Sequence, residues 1–471
     1  MSLTETLRSL LGAKYVLTGD GTDRWARDWA GVHQGTPLAV LRPANTAEVS
    51  AILKLANETQ TPVVPVSGNT SLAGGTAAAD ALLVSIDRMS AIREVRPAAR
   101  TVTVEAGVVL SKIHDAVEEH GLIFPLFFGA RGSAMIGGAL STNAGGSNVL
   151  RYGNTRDLCI GLEVVLPTGE IVNLMSALHK DNSGYNLRQL IIGAEGTLGI
   201  ITAAVLKLHP KPRAYATAMV AMPSVTDALG LLNRLQLETG GSVQAFEYMP
   251  RAFIEAYLAL HPEARAPFED MHDINILVEV GAVAPRDAIP GADGKIPVVS
   301  HLEDVLGALF EDGSIVDAVV AQNETQREEM WARREASAEV SRLHSPIVDN
   351  DIAVPLDQMQ NLMNKIAEIL TDLDPDARET SVAHLGDGNL HFACWPSRDD
   401  PKLIEAIHTA VEDAALAMDG SFSAEHGIGT SKLDSMQKHK DPAAMAAMRA
   451  IKQALDPNNI LNPGKVLPDA K

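Results

Sequence analysis

The 471-residue sequence predicts an α+β fold with two or more domains. The chain is longer than the roughly 250–300 residues at which a single hydrophobic core stops growing. Strands, loops and amphipathic helices alternate through the first half, and the second half favours a β–α–β unit with an antiparallel sheet. A glycine-rich stretch at 124–153 is the densest local signal in the chain. These three observations predict a ligand-holding first half and a separate second domain.

The composition excludes several classes of partner. Lys and Arg number 39 against 59 Asp and Glu, so the formal charge of −20 repels nucleic acid and anionic lipid surfaces. Cys159 and Cys394 both stand among apolar residues, which predicts reduced, buried thiols and no disulfide framework. No run of about 18 apolar residues and no basic-then-apolar N-terminus occurs. We expect a cytoplasmic protein without an integral membrane segment, and peripheral association with a membrane complex stays open.

The first half contains a predicted helix from Pro43 to Glu58, because Thr46 can cap it and apolar residues recur at helical spacing. A proline-rich segment, His209 to Arg213, predicts a domain boundary. The other elements predicted here are strands at 62–66, 81–86, 101–105 and 200–208, a helix at 109–121 and a hairpin of 162–166 with 170–172. Residues 1–36 form a lead-in, and a cofactor domain is expected at 37–212.

The second half opens with a strand-like segment and a helix, and a β–α–β unit with an antiparallel sheet fits its pattern. Residues 281–300 show little periodicity and predict a mobile excursion within this domain. The elements predicted here are strands at 218–222, 246–248 and 274–280 and helices at 225–239, 325–343, 356–373 and 442–455. We expect a second domain at 213–420 and a C-terminal segment at 421–471.

The stretch at 124–153 is interpreted as a cofactor cradle. It holds seven glycines, and backbone without a β-carbon can approach a large polar ligand such as a pyrophosphate. Two further glycine-rich segments, 65–75 and 193–201, flank it in the chain. None of them reads Gly-x-Gly-x-x-Gly after a strand or matches a phosphate-binding loop, so the doubly wound dinucleotide fold is not indicated. A glycine-rich surface loop is the alternative interpretation.

A group of polar residues near the C-terminus predicts a metal site. His384 and His391 surround a Gly-Asp-Gly-Asn turn, and a remote Ser-Ala-Glu-His-Gly segment adds Glu425. Two histidines and one carboxylate form a three-ligand divalent site with open positions. His426 would be the general base. The alternatives are a simple turn with histidines satisfied elsewhere, and a helix cap for His426.

These motifs together resemble the FAD-linked oxidases and dehydrogenases of the vanillyl-alcohol-oxidase type, within the branch of D-lactate, glycolate and D-2-hydroxyglutarate dehydrogenases. The similarity runs in order along nearly the whole chain, from 65–75 through 136–153, 180–187 and 193–201 to 384–391, 423–427 and 462–465. It implies a two-lobed PCMH-type FAD-binding domain, an α+β substrate cap domain with the metal site, and a C-terminal helical segment that packs back on the FAD domain.

The resemblance also implies roles for individual residues. His384, His391 and Glu425 correspond to metal ligands, with zinc expected and manganese as an alternative, and His426 corresponds to the base. Arg334 falls at the position of a substrate-carboxylate arginine, although the neighbouring Arg333 and a solvated helix face stay open as alternatives. The expected cofactor-binding residues are Pro65, Ser67, Gly68, Asn69, Thr70, Ser71, Gly74, Gly132, Ser133, Ile136, Gly137, Gly138, Ser141, Thr142, Asn143, Gly145, Gly146, Gly153, Glu195, Gly196, Gly199, Ile201 and Asn462.

The implied reaction is the FAD-dependent oxidation of a D-2-hydroxy acid to the 2-oxo acid. A divalent ion would chelate the α-carboxylate and α-hydroxyl, His426 would take the hydroxyl proton, and hydride would pass to flavin N5. Residues 65–75 contain neither His nor Cys, so non-covalent FAD is expected. The resemblance favours a dehydrogenase over an oxidase, with a flavoprotein or a quinone as the electron acceptor, and the oligomeric state is left open with a homodimer as a candidate.

Three departures from the 2-hydroxyglutarate enzymes bear on the substrate. Asp349 stands where those enzymes carry Lys, Ala393 where they tend to have Asn, and Ala338 where a hydroxyl residue is usual. An aspartate would repel a distal carboxylate, so we expect a lactate-like monocarboxylate. The alternatives are D-2-hydroxyglutarate dehydrogenase, a flavin-bearing subunit of a larger redox complex such as glycolate oxidase, and, more remotely, a metal-dependent hydrolase without flavin.

Overall fold

The computed structural model describes residues 2–27 and 31–469, so residues 1 and 28–30 of the predicted lead-in and residues 470 and 471 of the predicted C-terminal segment lie outside it. The chain forms two compact units. The first unit takes its described residues from 1–145, 153–210 and 425–471, and the second consists of 146–152 and 211–424. Within the described ranges, no helix is long and apolar enough to cross a membrane.

The strands in the described residues are β1 (Val16–Leu17), β2 (Ala39–Leu41), β3 (Val63–Val66), β4 (Leu82–Ser85), β5 (Ile92–Arg96), β6 (Thr101–Glu105), β7 (Leu122–Ile123), β8 (Cys159–Val165), β9 (Ile171–Leu174), β10 (Ile200–Lys207), β11 (His209–Pro210), β12 (Ala214–Ala221), β13 (Val243–Pro250), β14 (Ile274–Ala282), β15 (Asp317–Val320), β16 (Val348–Ala353), β17 (Arg378–Glu379), β18 (Val382–His384) and β19 (Asn389–Trp395).

The helices in the same residues are α1 (Leu3–Leu11), α2 (Thr46–Glu58), α3 (Leu110–Glu118), α4 (Ile136–Thr142), α5 (Val149–Tyr152), α6 (Thr155–Leu158), α7 (Arg188–Ile191), α8 (Val225–Glu238), α9 (Arg251–Leu260), α10 (Pro285–Ala288), α11 (Pro297–Glu311), α12 (Glu324–Glu335), α13 (Ser337–Ser341), α14 (Met359–Leu373), α15 (Pro401–Leu416), α16 (Leu433–His439) and α17 (Pro442–Leu455).

The first unit contains two main sheets. One has the strand order β1-β2-β4-β3, in which β4 pairs in parallel with both β2 and β3. All four residues of β4 are buried, as expected for a central strand covered on both faces. The other sheet is antiparallel with the order β5-β6-β10-β8-β9. The predicted hairpin is confirmed, because β8 and β9 pair antiparallel.

The second unit is built on one sheet with the order β15-β12-β14-β13-β18-β19-β16, and β17 pairs with β19. Every pairing within it is antiparallel. Alternate residues of β12 enter two different cores: Ala218 and Val220 join the larger one, whereas Met219 joins the smaller one. Because successive side chains of a strand point to opposite faces of a sheet, apolar residues of this strand lie on both faces.

Several local predictions need correction. Asn45 rather than Thr46 caps α2, because Asn45 Oδ1 accepts from Glu48 N at 2.9 Å while Thr46 Oγ1 donates to Glu163 Oε1 at 2.6 Å. The predicted helix at 325–343 is two helices, α12 and α13, separated at Ala336, whose ψ of 4° is not helical. The span 281–300 is not an irregular excursion throughout, because α10 and the start of α11 lie in it.

Both cysteines are buried and free, as the sequence predicts. Burial raises the pKa of each thiol, Cys159 and Cys394, to about 12. Neither thiol is therefore ionised near neutral pH.

Candidate functional site

Two of the glycine-rich segments touch each other in the first unit. A Cβ added to Gly68 would overlap the carbonyl oxygen of Ser133 and lie 3.0 Å from the Cα of Ala134. Gly138 N donates to Ser67 Oγ at 3.1 Å, and a Cβ on Gly138 would lie 3.1 Å from the Cβ of Ser67. The loop after β3 and the start of α4 can approach this closely only because glycine stands at both positions.

The third glycine-rich segment joins the same assembly. Glu195 N donates to the Ser141 carbonyl at 2.8 Å, and Gly193 N donates to the Leu140 carbonyl at 3.0 Å. Asn143 ends α4 with a φ of 53°, and its Oδ1 accepts from Arg156 N at 3.0 Å. The three segments that are far apart in the sequence therefore form one backbone surface.

The C-terminal tail is hydrogen-bonded to the same segments of the first unit. Asn462 N donates to the Val63 carbonyl at 2.8 Å, and Asn462 Nδ2 donates to the carbonyls of Gly75 at 3.1 Å and Glu195 at 2.7 Å. The Glu195 carboxylate accepts from the backbone amides of Ile428 and Gly429 at 2.7 and 2.8 Å. Glu195 therefore connects the third segment to the tail. Burial raises the pKa of its carboxyl group, although the hydrogen bonds from these two amides act in the opposite direction.

Unsatisfied groups beside this surface fit a polar, anionic ligand. Among the residues that the structure describes, Asn462 Oδ1 and Thr430 Oγ1 are buried without a hydrogen-bond partner. Lys465 is 7% exposed, burial lowers its pKa to about 8, and no acidic side chain of the described ranges pairs with it. Buried polar groups and buried cations normally have partners. A dinucleotide with a polar ring system and a pyrophosphate would supply them, so these residues fit FAD.

The predicted cofactor residues do not all lie in this unit. Gly146 belongs to the second unit, together with Arg151, which donates to the Gly281 carbonyl at 2.9 Å, and Tyr152, whose hydroxyl accepts from Gln244 at 2.9 Å. The remaining predicted cofactor residues are in the first unit, namely Pro65, Ser67, Gly68, Asn69, Thr70, Ser71, Gly74, Gly132, Ser133, Ile136, Gly137, Gly138, Ser141, Thr142, Asn143, Gly145, Gly153, Glu195, Gly196, Gly199, Ile201 and Asn462. Thr430 and Lys465 were not among the predicted cofactor residues, although Lys465 ends the segment 462–465 that contributes to the resemblance.

The two predicted histidine ligands come together in the second unit. His384 ends β18, and His391 lies near the start of β19. Gly388 makes the intervening turn possible, because its φ is 82° and a Cβ there would overlap the Val354 carbonyl. The two imidazole centroids are 5.2 Å apart with an interplanar angle of 80°. The hairpin therefore brings both rings to one place.

A buried carboxylate lies against each of these histidines. His384 Nδ1 is 2.8 Å from Glu247 Oε2, and His391 Nδ1 is 3.5 Å from Asp351 Oδ1. Asp351 and His391 are directly opposite each other in the β16–β19 ladder, and Asp351 also accepts from Asn389 Nδ2 at 3.0 Å. A carboxylate at Nδ1 favours a proton on that nitrogen and a lone pair on Nε2, as is usual for histidines that bind metals. At His384 this contact is a hydrogen bond, with Nδ1 3.0 Å from Glu247 Oε1.

Glu247 also pairs with the predicted substrate arginine. Arg334 Nε lies 2.8 Å from Glu247 Oε2, and both side chains are almost fully buried. Burial tends to raise the pKa of the Glu247 carboxyl, but the charges of His384 and Arg334 outweigh it and hold that pKa below its ordinary value. The sequence analysis missed Glu247 and Asp351. The signal for Glu247 was a charged residue inside an otherwise apolar strand segment.

The structure distinguishes the two adjacent arginines of α12. Arg334 faces His384, with Nη2 3.5 Å from Nδ1. Arg333 points elsewhere: its Nη2 donates to the Arg265 carbonyl at 2.8 Å, and its guanidinium lies 5.7 Å from the centroid of Tyr257. Both are buried, so a solvated helix face is excluded for both. Of the two, Arg334 is the one beside the histidine pair.

Glu425 and His426 open the last segment of the first unit, directly after Ala424, the final residue of the second unit. Ala424 N donates to the Asp351 carbonyl at 3.1 Å. Asp351 is the residue opposite His391. Ala424, the residue before Glu425, is therefore anchored to β16, the strand that pairs with the one that holds His391.

Comparison with known proteins identifies the family. Residues 211–466 match the model described as FAD linked oxidases, C-terminal domain, and residues 37–175 match a FAD binding domain. The chain belongs to the FAD-linked oxidase family. The resemblance stated from the sequence motifs is therefore confirmed, as is the expectation of FAD.

Two relatives extend over most of the chain. A protein named D-2-hydroxyglutarate dehydrogenase from Xanthomonas citri pv. viticola is 34% identical over 450 residues, covering 94% of this chain and 92% of the relative. The mitochondrial D-2-hydroxyglutarate dehydrogenase of Bos taurus is 35% identical over 443 residues, covering 94% of this chain and 79% of the relative.

Solved structures confirm the fold class. The structure of p-cresol methylhydroxylase with substrate bound has a TM-score of 0.75 at 16% identity and covers 99% of this chain and 96% of its own. An alkyldihydroxyacetonephosphate synthase structure has a TM-score of 0.73 at 17% identity, with coverage of 98% and 84%. At these identities the similarity shows the fold alone, which is the predicted PCMH-type α+β architecture.

Proposed function

We propose that this member of the FAD-linked oxidase family is a dehydrogenase that oxidises a D-2-hydroxy acid to the corresponding 2-oxo acid. The observation that carries the proposal is the cluster of Arg334, Glu247 and His384, in which a guanidinium suited to a carboxylate lies beside an imidazole suited to a metal ion. A 2-hydroxy acid presents a carboxylate and an adjacent hydroxyl, which this pair of groups matches. The names of the two relatives support the same substrate class.

His384, His391 and Glu425 are the proposed ligands of a divalent ion, with zinc favoured over manganese because two imidazoles and one carboxylate suit zinc. Support comes from the orientation of both imidazoles by Glu247 and Asp351. Further support is the anchored backbone that leads into Glu425. When bound, the ion supplies a Lewis acid for the oxygens of the hydroxy acid.

The other residues have separate tasks in the proposed reaction. Arg334 binds the planar α-carboxylate and orients the substrate. His426 accepts the proton of the α-hydroxyl at a ring nitrogen, since an imidazole can both take up and release a proton near neutral pH. FAD, when bound, supplies the acceptor for the hydride that leaves the α-carbon, and the hydroxy acid is thereby oxidised. The first unit holds that cofactor on its glycine-rich segments without a covalent bond.

The proposed substrate is a monocarboxylate of the lactate type. Asp349 is exposed and lies directly opposite Ala393 in the ladder that also pairs Asp351 with His391. Directly opposed residues share a face of the sheet, and residues two apart on one strand also share it, so Asp349 and Ala393 lie on the His391 face. A negative charge there disfavours a second carboxylate. D-2-hydroxyglutarate is the second candidate, favoured by the names of the relatives.

The proposal is tested by the visible flavin absorbance of the FAD-loaded protein under anaerobic conditions, with D-lactate, L-lactate, glycolate and D-2-hydroxyglutarate added separately. We expect bleaching by D-lactate or a related D-monocarboxylate. Bleaching by D-2-hydroxyglutarate best of all would favour the second candidate, and a yellow protein that no acid bleaches would favour a flavin-bearing subunit of a larger redox complex. A flavoprotein or quinone acceptor, a cytoplasmic location and a homodimer stay predictions.

Substitution of Asp349 by lysine is expected to raise the ratio of kcat/KM for D-2-hydroxyglutarate to that for D-lactate by at least about tenfold, because a cation there would pair with the distal carboxylate. Steady-state rates with an artificial acceptor measure the ratio. Asp349→Asn, which removes the charge without reversing it, should give an intermediate ratio. An unchanged ratio in the lysine variant would show that Asp349 does not determine which substrate is preferred.

Substitution of His426 by alanine is expected to slow anaerobic flavin reduction about a thousandfold, because the hydroxyl proton then has no positioned acceptor. FAD and metal content should stay at the wild-type level, as measured by absorbance and elemental analysis. His120→Ala, at an exposed histidine of the same unit, is the control and should reduce normally. A near-normal rate in the His426 variant would remove it as the base.

A further inference from the structure

Helix α12 lies on the sheet of the second unit through two buried carboxylates. Glu279 of β14 accepts from Arg327 Nε at 2.7 Å and from Trp331 Nε1 at 2.8 Å. Glu247 of the adjacent strand β13 pairs with Arg334. Positions 327, 331 and 334 recur at the spacing of one helical face, so a single stripe of α12 is held at both ends.

The two carboxylates differ in what else they contact. Glu279 additionally accepts from Thr217 Oγ1 at 2.8 Å. Glu247 instead lies against His384: His384 Nδ1 is hydrogen-bonded to Glu247 Oε1 at 3.0 Å, and it is also 2.8 Å from Oε2, the oxygen that forms the ion pair with Arg334 Nε at 2.8 Å. We propose that Glu247 is a positioning residue that holds the substrate arginine and the metal-binding histidine in one fixed arrangement.

The Glu247 carboxylate lies against both groups and orients them through its two oxygens. An arginine has five N–H donors in a rigid plane, and the use of Nε by Glu247 sets the direction in which the two Nη groups point. The other oxygen, Oε1, is hydrogen-bonded to His384 Nδ1, which favours a proton on Nδ1 and a lone pair on Nε2. Because Glu247 is 1% exposed, neither contact is weakened by water. A carboxylate site and a metal ligand are therefore aligned by one side chain.

This inference rests on the proposed function, in which Arg334 binds the substrate carboxylate and His384 binds the ion. Glu247→Gln is nearly isosteric but lacks the charge, and its amide cannot accept from both partners as the carboxylate does. We expect KM for the preferred hydroxy acid to rise at least about tenfold and the affinity for the divalent ion to fall about 10–100-fold. The ion affinity is measured by chelator competition on the FAD-loaded protein, without turnover.

Glu279→Gln is the matched control, since it removes a buried carboxylate from the same sheet that pairs with an arginine of the same helix. It should lower thermal stability to a similar extent as Glu247→Gln and leave ion affinity and KM within about threefold of the wild type. Equal losses in the two variants would overturn the proposal and reduce Glu247 to a structural anchor of α12.

A second variant covers the case in which Glu247→Gln does not fold. Glu247→Asp keeps the charge but is one methylene shorter, so it cannot stay 2.8 Å from both nitrogens without a shift of the backbone. We expect weaker ion binding and a raised KM; wild-type values for both would contradict the inference. If the wild-type protein is bleached by no hydroxy acid, the proposed function fails, whereas the ion-affinity comparison still tests the link between Glu247 and His384.

Discussion

His391→Ala is expected to slow anaerobic flavin reduction by a D-2-hydroxy acid at least about a thousandfold while FAD stays bound. The variant loses one of the three proposed metal ligands and leaves Asp351 without the imidazole that lies 3.5 Å from it. Without the ion, the hydroxyl keeps a pKa too high for His426 to take its proton near neutrality. Stopped-flow absorbance gives the rate, and elemental analysis of the same sample gives the metal content.

A matched control is His301→Ala in α11 of the same unit. The His301 ring contacts the Glu238 carbonyl at 3.2 Å and has no part in the proposed chemistry. The rate of flavin reduction in the His301 variant should stay within about threefold of the wild-type rate. Dialysis of the wild-type protein against a chelator should reproduce the His391 defect, and added zinc or manganese should reverse it. A His391 variant that keeps its metal and reduces normally would contradict the proposed ligand set.

Gly68→Ala is expected to weaken FAD binding by at least about 100-fold. The new methyl group would overlap the Ser133 carbonyl oxygen and press on the Cα of Ala134, both of which are backbone atoms that no side-chain rotation can move. Separation of the two segments would disturb the backbone surface proposed to hold the cofactor. The ratio of flavin to protein absorbance after gel filtration, followed by titration with FAD, measures the loss.

Gly129→Ala is the control for this effect. The position lies in the same glycine-rich stretch, but a Cβ there would meet no atom within 4 Å, and its φ is not positive. This variant should retain FAD as the wild type does. A Gly68 variant with wild-type affinity would show that the contact between the two segments does not determine cofactor binding.

The fold was predictable where the pattern of residues is local. Strand β6 at Thr101–Glu105 and helix α8 at Val225–Glu238 were found because alternation and helical spacing are properties of a short window. Helices α9, α11 and α15 were missed. Each of these helices packs on the central sheet of the second unit or on its neighbours, and tertiary burial rather than local propensity stabilises such helices.

For the candidate site, the sequence predicted which types of residue take part but not how they are arranged. Glycine positions, the histidine pair and the adjacent arginines could all be identified, because they carry chemistry that few other residues supply. Glu247 and Asp351 could not be assigned, since their roles depend on which strands become neighbours. Asp351 lies opposite His391 only through the register of β16 with β19, and that pairing joins segments 40 residues apart in the chain.

The sequence by itself determined the family, the need for glycine in three segments and the presence of two adjacent arginines, Arg333 and Arg334, as candidates for binding the substrate carboxylate. The tertiary structure decided between these two arginines. Consecutive residues on a helix with about 3.6 residues per turn point roughly 100° apart, so only one of them can face a given neighbour. The packing of α12 on the sheet, held by Glu247 and Glu279, directs Arg334 to His384 and Arg333 to the Arg265 carbonyl.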